Sequence, residues 1–137
     1  MVVNLAQIKP VNENTYVGVI PSMEYFREDT INIHFRFWYP PDGNGELKPI
    51  DLTHDIKPMW YLCPYNQFQN PVVEKQMLVS AVNKNMATVR LTSKDTQYLD
   101  FIKYTHQPVL ETLEDNPSKF IRAEGSIMFN PHINGNI

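Results

Sequence analysis

The most regular pattern of apolar and polar residues in the chain runs from Thr30 to Tyr39. Side chains on a β-strand point alternately to opposite faces, so a strict two-residue period indicates a strand. One side of this pattern consists of Ile31, Ile33, Phe35, Phe37 and Tyr39, and the other of Thr30, Asn32, His34, Arg36 and Trp38. The pattern predicts a long strand with one fully apolar face.

Five other segments also have the character of strands. Residues 15–20, 86–92 and 120–129 are rich in β-branched residues or alternate between apolar and polar positions. Residues 46–53 follow a turn signal rich in proline and glycine, and they are predicted to pair back as an edge strand. Residues 59–65 are apolar at both alternating positions, which is typical of a strand that is buried on both sides or faces a partner.

The region after Asn70 has the spacing of a helix. Asn70 is typical of an N-cap and Pro71 of a first helical residue. Apolar residues then recur every three or four positions, which predicts a helix over 71–84 with one apolar face. These apolar residues are Val73, Met77, Leu78, Ala81 and Val82.

A second helical region is predicted over 93–115. Thr92 and Asp95 have the three-residue spacing of a helix cap. A broad apolar stripe follows, and Pro108 then begins a further helical piece.

Together these elements predict an α+β domain, in which two to three helices pack on a mainly antiparallel sheet or partial barrel of five to seven strands. The 137 residues are enough for a single domain with its own core. Residues 1–13 and 130–137 contain little that a compact domain would bury, so they are predicted to be extended N-terminal and C-terminal arms, with an edge strand as the alternative for residues 1–13.

Charge and cysteine content narrow the possible functions. Twelve Lys and Arg residues against fifteen Asp and Glu residues give a formal net charge of −3, which argues against a general nucleic-acid-binding protein. Cys63 is the single cysteine, so an intrachain disulfide is excluded and a reducing compartment is expected. The chain has neither a signal-peptide pattern nor the ~18 apolar residues of a membrane helix. A soluble protein made inside the cell, without a membrane partner, is therefore expected.

Candidate catalytic residues are few. Asp51, His54 and Asp55 are close in sequence, but they lack the spacing of a recognised metal site. A solvated loop is the favoured interpretation, and a small enzyme around these residues is the weaker alternative. Cys63 lies in an apolar run and is interpreted as a buried hydrophobic residue rather than a nucleophile. Since no phosphate-binding or nucleotide-binding motif is present, the chain is predicted to be a non-enzyme with no cofactor and no metal.

The polar side of the main predicted strand is the candidate binding surface. Arginine and tryptophan on a sheet can bind single-stranded nucleic acid, because bases stack on the ring and the guanidinium binds phosphate. His34, Arg36 and Trp38 would then be the binding residues of an OB-like protein, with which the order of strands and helix is compatible. The same residue types are enriched at protein interfaces. We favour the interface interpretation, because the chain is net acidic.

The composition and the two predicted arms indicate a subunit of an assembly. Eleven prolines and five glycines favour connections that are extended and held rather than loose. Small, proline-rich, cysteine-poor subunits with arms are typical of the ring, tube and shell proteins of viral particles. The chain is therefore predicted to be a non-enzymatic structural subunit, such as a neck, tail or capsid-associated component of a bacteriophage virion.

Such a subunit would be made in the host cytoplasm and then become part of the virion, whereas the nucleic-acid-binding alternative would remain cytoplasmic. Its predicted partners are other copies of itself or other assembly subunits, with nucleic acid a partner only in the alternative. The candidate interface residues are Arg36, Trp38, Trp60, Ile133 and Ile137.

Overall fold

Two β-sheets packed against each other form the part of the chain that the computed structural model describes. The described residues are 2–8, 17–20, 22–39, 44, 46, 48–67, 69–99, 103–113 and 119–130, with the backbone alone for 2–8, 17–19 and 119–121. Within these ranges the elements in chain order are β1 (Val2–Ile8), β2 (Val17–Val19), β3 (Met23–Phe26), β4 (Ile31–Phe37), β5 (Ile56–Pro64), β6 (Val73–Gln76), β7 (Leu78–Val79), β8 (Met86–Leu91), α1 (Ser93–Thr96), β9 (Lys103–Thr112) and β10 (Lys119–Asn130).

Four strands form sheet A, in the order β1-β4-β8-β7. The strand β4 lies inside this sheet, where it pairs in parallel with β1 and antiparallel with β8. The two-residue strand β7 pairs with β8 and forms an edge. The strand with the clearest sequence pattern is therefore flanked by a partner on each side.

The other six strands form sheet B, with the order β2-β10-β9-β5-β6. The short strands β2 and β3 both pair in parallel with β10, whereas β9 pairs antiparallel with β10 and with β5. The chain passes from β6 in sheet B to β7 in sheet A through Met77, whose side chain is buried and whose N–H donates to the Pro58 carbonyl at 2.9 Å. The chain therefore crosses from one sheet to the other between the edge strands β6 and β7.

The core lies between the two sheets, so the architecture is a β-sandwich. The predicted apolar face of β4 supplies Ile31, Ile33, Phe35 and Phe37, each 0% exposed. Sheet B supplies the buried side chains Trp60, Leu62, Leu110, Ile127 and Phe129. The rings of Phe35 and His106 have centroids 6.0 Å apart, which brings the central strands of the two sheets into direct contact.

The predicted α+β class is wrong. Helix in the described part of the chain amounts to the four residues of α1, and the strands form two sheets instead of one sheet or partial barrel with packed helices. The pairings of β1, β2 and β3 are parallel, so both sheets are mixed rather than antiparallel throughout. None of the described segments contains a helix that is long and apolar enough to cross a membrane.

The predicted helix 71–84 is replaced by β6 and β7. Asn70 has a φ of 59°, in the left-handed region, instead of the extended backbone of an N-cap. Beyond it, exposure alternates with a period of two, and the less exposed residues are Val73, Lys75, Met77 and Val79. The segment therefore fits both the helical period and the two-residue period of a strand. Its pairing with β5 and β8 stabilises the strands. Leu78, which the helical pattern places on the buried face, is 75% exposed.

Among the described residues of the predicted helical region 93–115, helix is limited to α1, and ten residues form β9. The predicted cap is confirmed, because Asp95 Oδ2 accepts a hydrogen bond from the Thr92 N–H at 2.7 Å. Pro108, interpreted as the start of a helical piece, lies within β9 between β5 and β10. Proline is rare in central strands, and this unusual position is the reason that the sequence favours helix here.

Other predicted strands are confirmed with shifted ends. The segments 59–65, 86–92 and 120–129 correspond to β5, β8 and β10, and β2 lies within 15–20. The strand β3 is one that the sequence pattern does not predict.

The predicted edge strand 46–53 is not formed by its described residues. Pro49 makes an isolated bridge with Trp38, just beyond the end of β4. Ile50 and Leu52 are buried, so this segment covers the core without extending a sheet.

Candidate functional site

The side of sheet A that faces away from the core carries the polar row predicted from the sequence. In the register of β4 and β8, Asn32 lies opposite Arg90 and His34 opposite Thr88. Side chains of directly paired residues point to the same face of a sheet. We define the outer face of sheet A by its described side chains, which are Asn32, His34, Arg36, Leu78, Met86, Thr88 and Arg90.

His34 is held in place across the strand pair. Its Nδ1 lies 2.6 Å from Thr88 Oγ1, and the side chain is half-buried. The hydrogen bond fixes the ring orientation, so His34 presents a defined edge on the outer face.

Two arginines on this face lack a carboxylate partner among the described residues. Arg36 is half-buried, and its Nε is inaccessible to solvent and has no hydrogen-bond partner among the described residues. Arg90 is exposed. The ion pair seen in the described part of the chain joins Lys75 to Asp95 at 2.6 Å and involves neither arginine. The outer face of sheet A therefore carries two positive charges that its described surroundings do not neutralise.

The two tryptophans lie in different environments. Trp38 is half-buried beyond the end of β4, where it forms the bridge with Pro49. Trp60 is 0% exposed and faces the core, where its Nε1 donates a hydrogen bond to His106 Nδ1 at 3.1 Å. Trp38 thus retains some surface for a partner, whereas Trp60 has none in this structure.

His106 is a buried polar residue that the sequence pattern does not single out. Burial lowers the pKa of His106 from 6.5 to about 3, so the ring is neutral near pH 7. Because Nδ1 accepts the hydrogen bond from Trp60, the ring proton resides on Nε2, which has no hydrogen-bond partner in the described part of the chain. The pair is enclosed by the core, so it belongs to the folding unit rather than to an accessible site.

The predicted acidic loop has a local structural role. Asp51 Oδ1 accepts hydrogen bonds from the N–H of Thr53, at 2.9 Å, and from its hydroxyl group. These bonds from Thr53 hold the pKa of Asp51 below its usual value. His54 and Asp55 are exposed. In the described segments, no three His, Cys, Asp or Glu side chains are grouped so that they could hold a metal ion.

The remaining candidates are placed as follows. Cys63 is buried and forms no disulfide. Val2–Ile8 of the predicted N-terminal arm form β1, at an edge of sheet A. Ile133 and Ile137, from the predicted C-terminal arm, lie outside the described residues.

The outward side of sheet B differs from that of sheet A, because several of its polar groups pair with one another. The Tyr61 hydroxyl donates to Glu111 Oε2 at 2.5 Å, and burial, together with this bond, raises the pKa of Tyr61. Lys103 Nζ lies 5.3 Å from the centre of the Tyr65 ring. Gln107 departs from this trend, since its side chain is buried and its Nε2 has no hydrogen-bond partner within the described segments.

A cleft of about 220 Å³ lies beside β3 and β10. The hydroxyls of Ser22 and Ser126, which line it, are 2.6 Å apart. Glu24, also in the lining, accepts a hydrogen bond from Asn130 Nδ2 at 2.5 Å. These polar groups are engaged with the protein itself, so the cleft does not indicate a ligand.

Sequence reasoning finds part of the outer face of sheet A and misses the rest. The alternation in β8 already places Thr88 and Arg90 on one side of a strand. Their position beside His34 and Arg36 depends on the register of β4 and β8, which no local pattern reveals. Leu78 is missed because the helical spacing assigns it to the core.

The fold and the outer face of sheet A define a β-sandwich protein with a polar, positively charged candidate interaction surface. No protein-family model matches the sequence, and no curated protein matches it. Among solved structures, the chain is similar to the N-terminal domain of phage TP901-1 ORF48, with a TM-score of 0.58 and 10% sequence identity. The match covers 95% of this chain and 99% of that chain, so the likeness is one of a whole domain fold.

Proposed function

We propose that the chain is a structural subunit of a bacteriophage particle, made in the host cytoplasm, that acts through contacts with other protein subunits. The observation that carries this proposal is the likeness in fold to the N-terminal domain of phage TP901-1 ORF48. It extends over 95% of this chain and 99% of that one, so it concerns a complete domain rather than a common substructure.

The chemistry of the described surface also supports binding rather than catalysis. The outer face of sheet A presents Arg36, Arg90 and the exposed Leu78, which are residue types suited to recognition of another macromolecule. The strongly shifted pKa of His106 belongs to a side chain enclosed in the core. A reactive group would instead lie in an open cleft.

Binding of single-stranded nucleic acid is the second candidate function, because arginines without carboxylate partners also suit phosphates. Two observations give it less support. The strands form two packed sheets rather than the five-stranded barrel of an OB-fold. Trp38, the ring proposed to stack on bases, is half-buried.

Size-exclusion chromatography with light scattering, at low and high salt and with absorbance read at 260 and 280 nm, tests the proposal. A structural subunit is expected to form a discrete multimer that is free of nucleic acid at both salt concentrations. A monomer or dimer that carries nucleic acid at low salt and releases it at high salt would favour the second candidate, because contacts to phosphate weaken with salt.

A further inference from the structure

We propose that the outer face of sheet A is a docking surface for an acidic protein partner. Arg36 and Arg90 each bind a carboxylate of that partner, and Leu78 makes an apolar contact beside them, at the edge of the sheet. This inference rests on the proposed function, because it assigns the surface through which the subunit binds and the chemistry of what it binds.

Charge distinguishes this face from the protein as a whole. The described side chains on it include two arginines and no Asp or Glu, although the chain has a net charge of −3. Asp95, which follows β8, is already bound to Lys75 at 2.6 Å. A surface patch of one sign steers partners of the opposite sign and disfavours others.

Arg36 is half-buried, so part of its side chain is accessible on the outer face of sheet A, whereas its Nε is enclosed by the protein. A carboxylate can bind a guanidinium through charge-assisted hydrogen bonds. A partner carboxylate would bind the accessible part of the Arg36 guanidinium, which has no carboxylate partner among the described residues.

The strand register fixes the spacing of the docking points. Arg90 is paired with Asn32, and Arg36 lies four residues further along β4. At about 3.3 Å per residue, the two arginines are roughly 13 Å apart along the strands. Leu78 is paired with Thr88 and lies on the edge strand β7, to one side of both arginines, and it is 75% exposed. The partner surface should present two carboxylates with this separation and an apolar group to one side of them.

The exposed leucine favours a protein over a nucleic acid. Single-stranded nucleic acids bind through rows of phosphates combined with aromatic rings on which bases stack. Here an exposed aliphatic side chain, Leu78, lies beside the arginines on the edge strand β7, and Trp38 is half-buried. Carboxylates with an apolar group beside them match this arrangement better than phosphates and bases do.

Binding of fluorescein-labelled poly-L-glutamate, measured by fluorescence anisotropy, tests the charge of the proposed site. We expect the double variant R36Q/R90Q to bind this probe about tenfold more weakly than the wild-type protein does. The matched control is K103Q/R122Q, which also removes two positive charges, at exposed positions of β9 and β10 in sheet B, and should bind as the wild type does. Equal weakening by R36Q/R90Q and K103Q/R122Q, or no weakening by either, would overturn the proposal.

A second pair of variants uses exposed positions only, so that folding is preserved. L78D places a carboxylate on the outer face of sheet A, beside the two arginines, and V82D places one in the turn after β7 at a similarly exposed position. We expect L78D to weaken binding of poly-L-glutamate about as much as R36Q/R90Q does, because like charges repel. Equal effects of L78D and V82D would contradict docking on this face.

Light scattering and an oligothymidylate probe of equal charge, used on the same samples, separate this inference from the proposed function. Tighter binding of oligothymidylate than of poly-L-glutamate would overturn the choice of a protein partner. A multimer that dissociates in R36Q/R90Q would identify a second copy as the occupant, which also overturns a distinct acidic partner. If the multimer and the binding of poly-L-glutamate are both unchanged in R36Q/R90Q, the docking surface is wrong while the proposed function stands.

Discussion

Each of the two sheets places a histidine within a strand, and the two side chains lie in opposite environments. His106 in sheet B is 0% exposed and faces the core, where its Nδ1 accepts a hydrogen bond from Trp60 at 3.1 Å. His34 in sheet A is half-buried on the outer face, where its Nδ1 lies 2.6 Å from Thr88 Oγ1. In both histidines Nδ1 makes the hydrogen bond. Its partner is the buried indole of Trp60 for His106 and the half-buried hydroxyl of Thr88 for His34.

This difference separates polar groups that maintain the fold from polar groups that are available for recognition. Around His106, water is excluded, so each missing hydrogen bond lowers the stability of the folded state. Around His34, water can replace a lost partner, so the side chains there can change with little effect on folding. Mutations around His106 should therefore change the free energy of unfolding. Mutations on the outer face of sheet A should instead change binding.

The largest effect is expected from Trp60→Phe. The substitution removes the hydrogen-bond donor to His106 Nδ1 and leaves a small cavity in the core, so it should lower the free energy of unfolding by about 3 kcal/mol. Denaturant unfolding followed by circular dichroism measures the loss. The matched control is Trp38→Phe at the half-buried tryptophan, which should cost about 1 kcal/mol or less. Similar losses in the two variants would show that the core does not depend on the indole of Trp60.

The next effect is a dependence of stability on pH that comes from His106. The unfolded chain binds a proton on this histidine near pH 6.5, whereas the folded protein binds it only near pH 3. The contribution of His106 is therefore complete above pH 6.5 and decreases as the pH falls towards 3, by about 1.4 kcal/mol per pH unit.

His106→Gln isolates this contribution. The glutamine oxygen can still accept the hydrogen bond from Trp60, but it does not titrate. We expect the wild-type protein to lose roughly 2 kcal/mol between pH 6 and pH 4.5 from this group, and the variant to lack that part of the decrease. Urea unfolding at a series of pH values measures both curves, and parallel curves would contradict the assignment.

A smaller loss of stability is expected from Gly125→Ala, at the residue paired with His106 in β10. A Cβ at Gly125 would lie 2.7 Å from the Ile20 carbonyl oxygen and 2.9 Å from the Ile20 Cβ. The backbone atoms cannot turn away, so the strands must shift, at a cost of about 1.5 kcal/mol. Thermal unfolding measures this loss. Ser126→Ala, at the neighbouring half-buried position, should stay within about 0.5 kcal/mol of the wild type.

The sequence predicts these environments unevenly. The alternation in 30–39 identifies β4 and its buried face, because a strand with one face in the core must repeat every two residues. Residues 71–84 satisfy a period of two as well as a helical period, and only pairing with neighbouring strands distinguishes them. Pro108 leads to a wrong prediction of helix for a different reason. It occupies a central strand position that prolines seldom take.

The sequence also predicts only part of the candidate site. The sequence indicates that His34 and Arg36 share one side of a strand, since both belong to one periodic segment. It cannot place Arg90 and Leu78 beside them, because those neighbours come from the register of separate strands. Nor can it distinguish Trp60 from Trp38, since the packing of the two sheets decides which tryptophan is enclosed.

The smallest effect on stability is expected from Thr88→Val, which removes the hydroxyl next to His34 and keeps a β-branched side chain of similar shape. Because His34 is half-buried, water can replace the lost partner, and the free energy of unfolding should decrease by about 0.5 kcal/mol. Urea unfolding measures this change against Trp60→Phe, which removes the corresponding partner of His106. If Thr88→Val cost as much as Trp60→Phe, His34 would be part of the folding core, and the outer face of sheet A would lose its distinction from the interior.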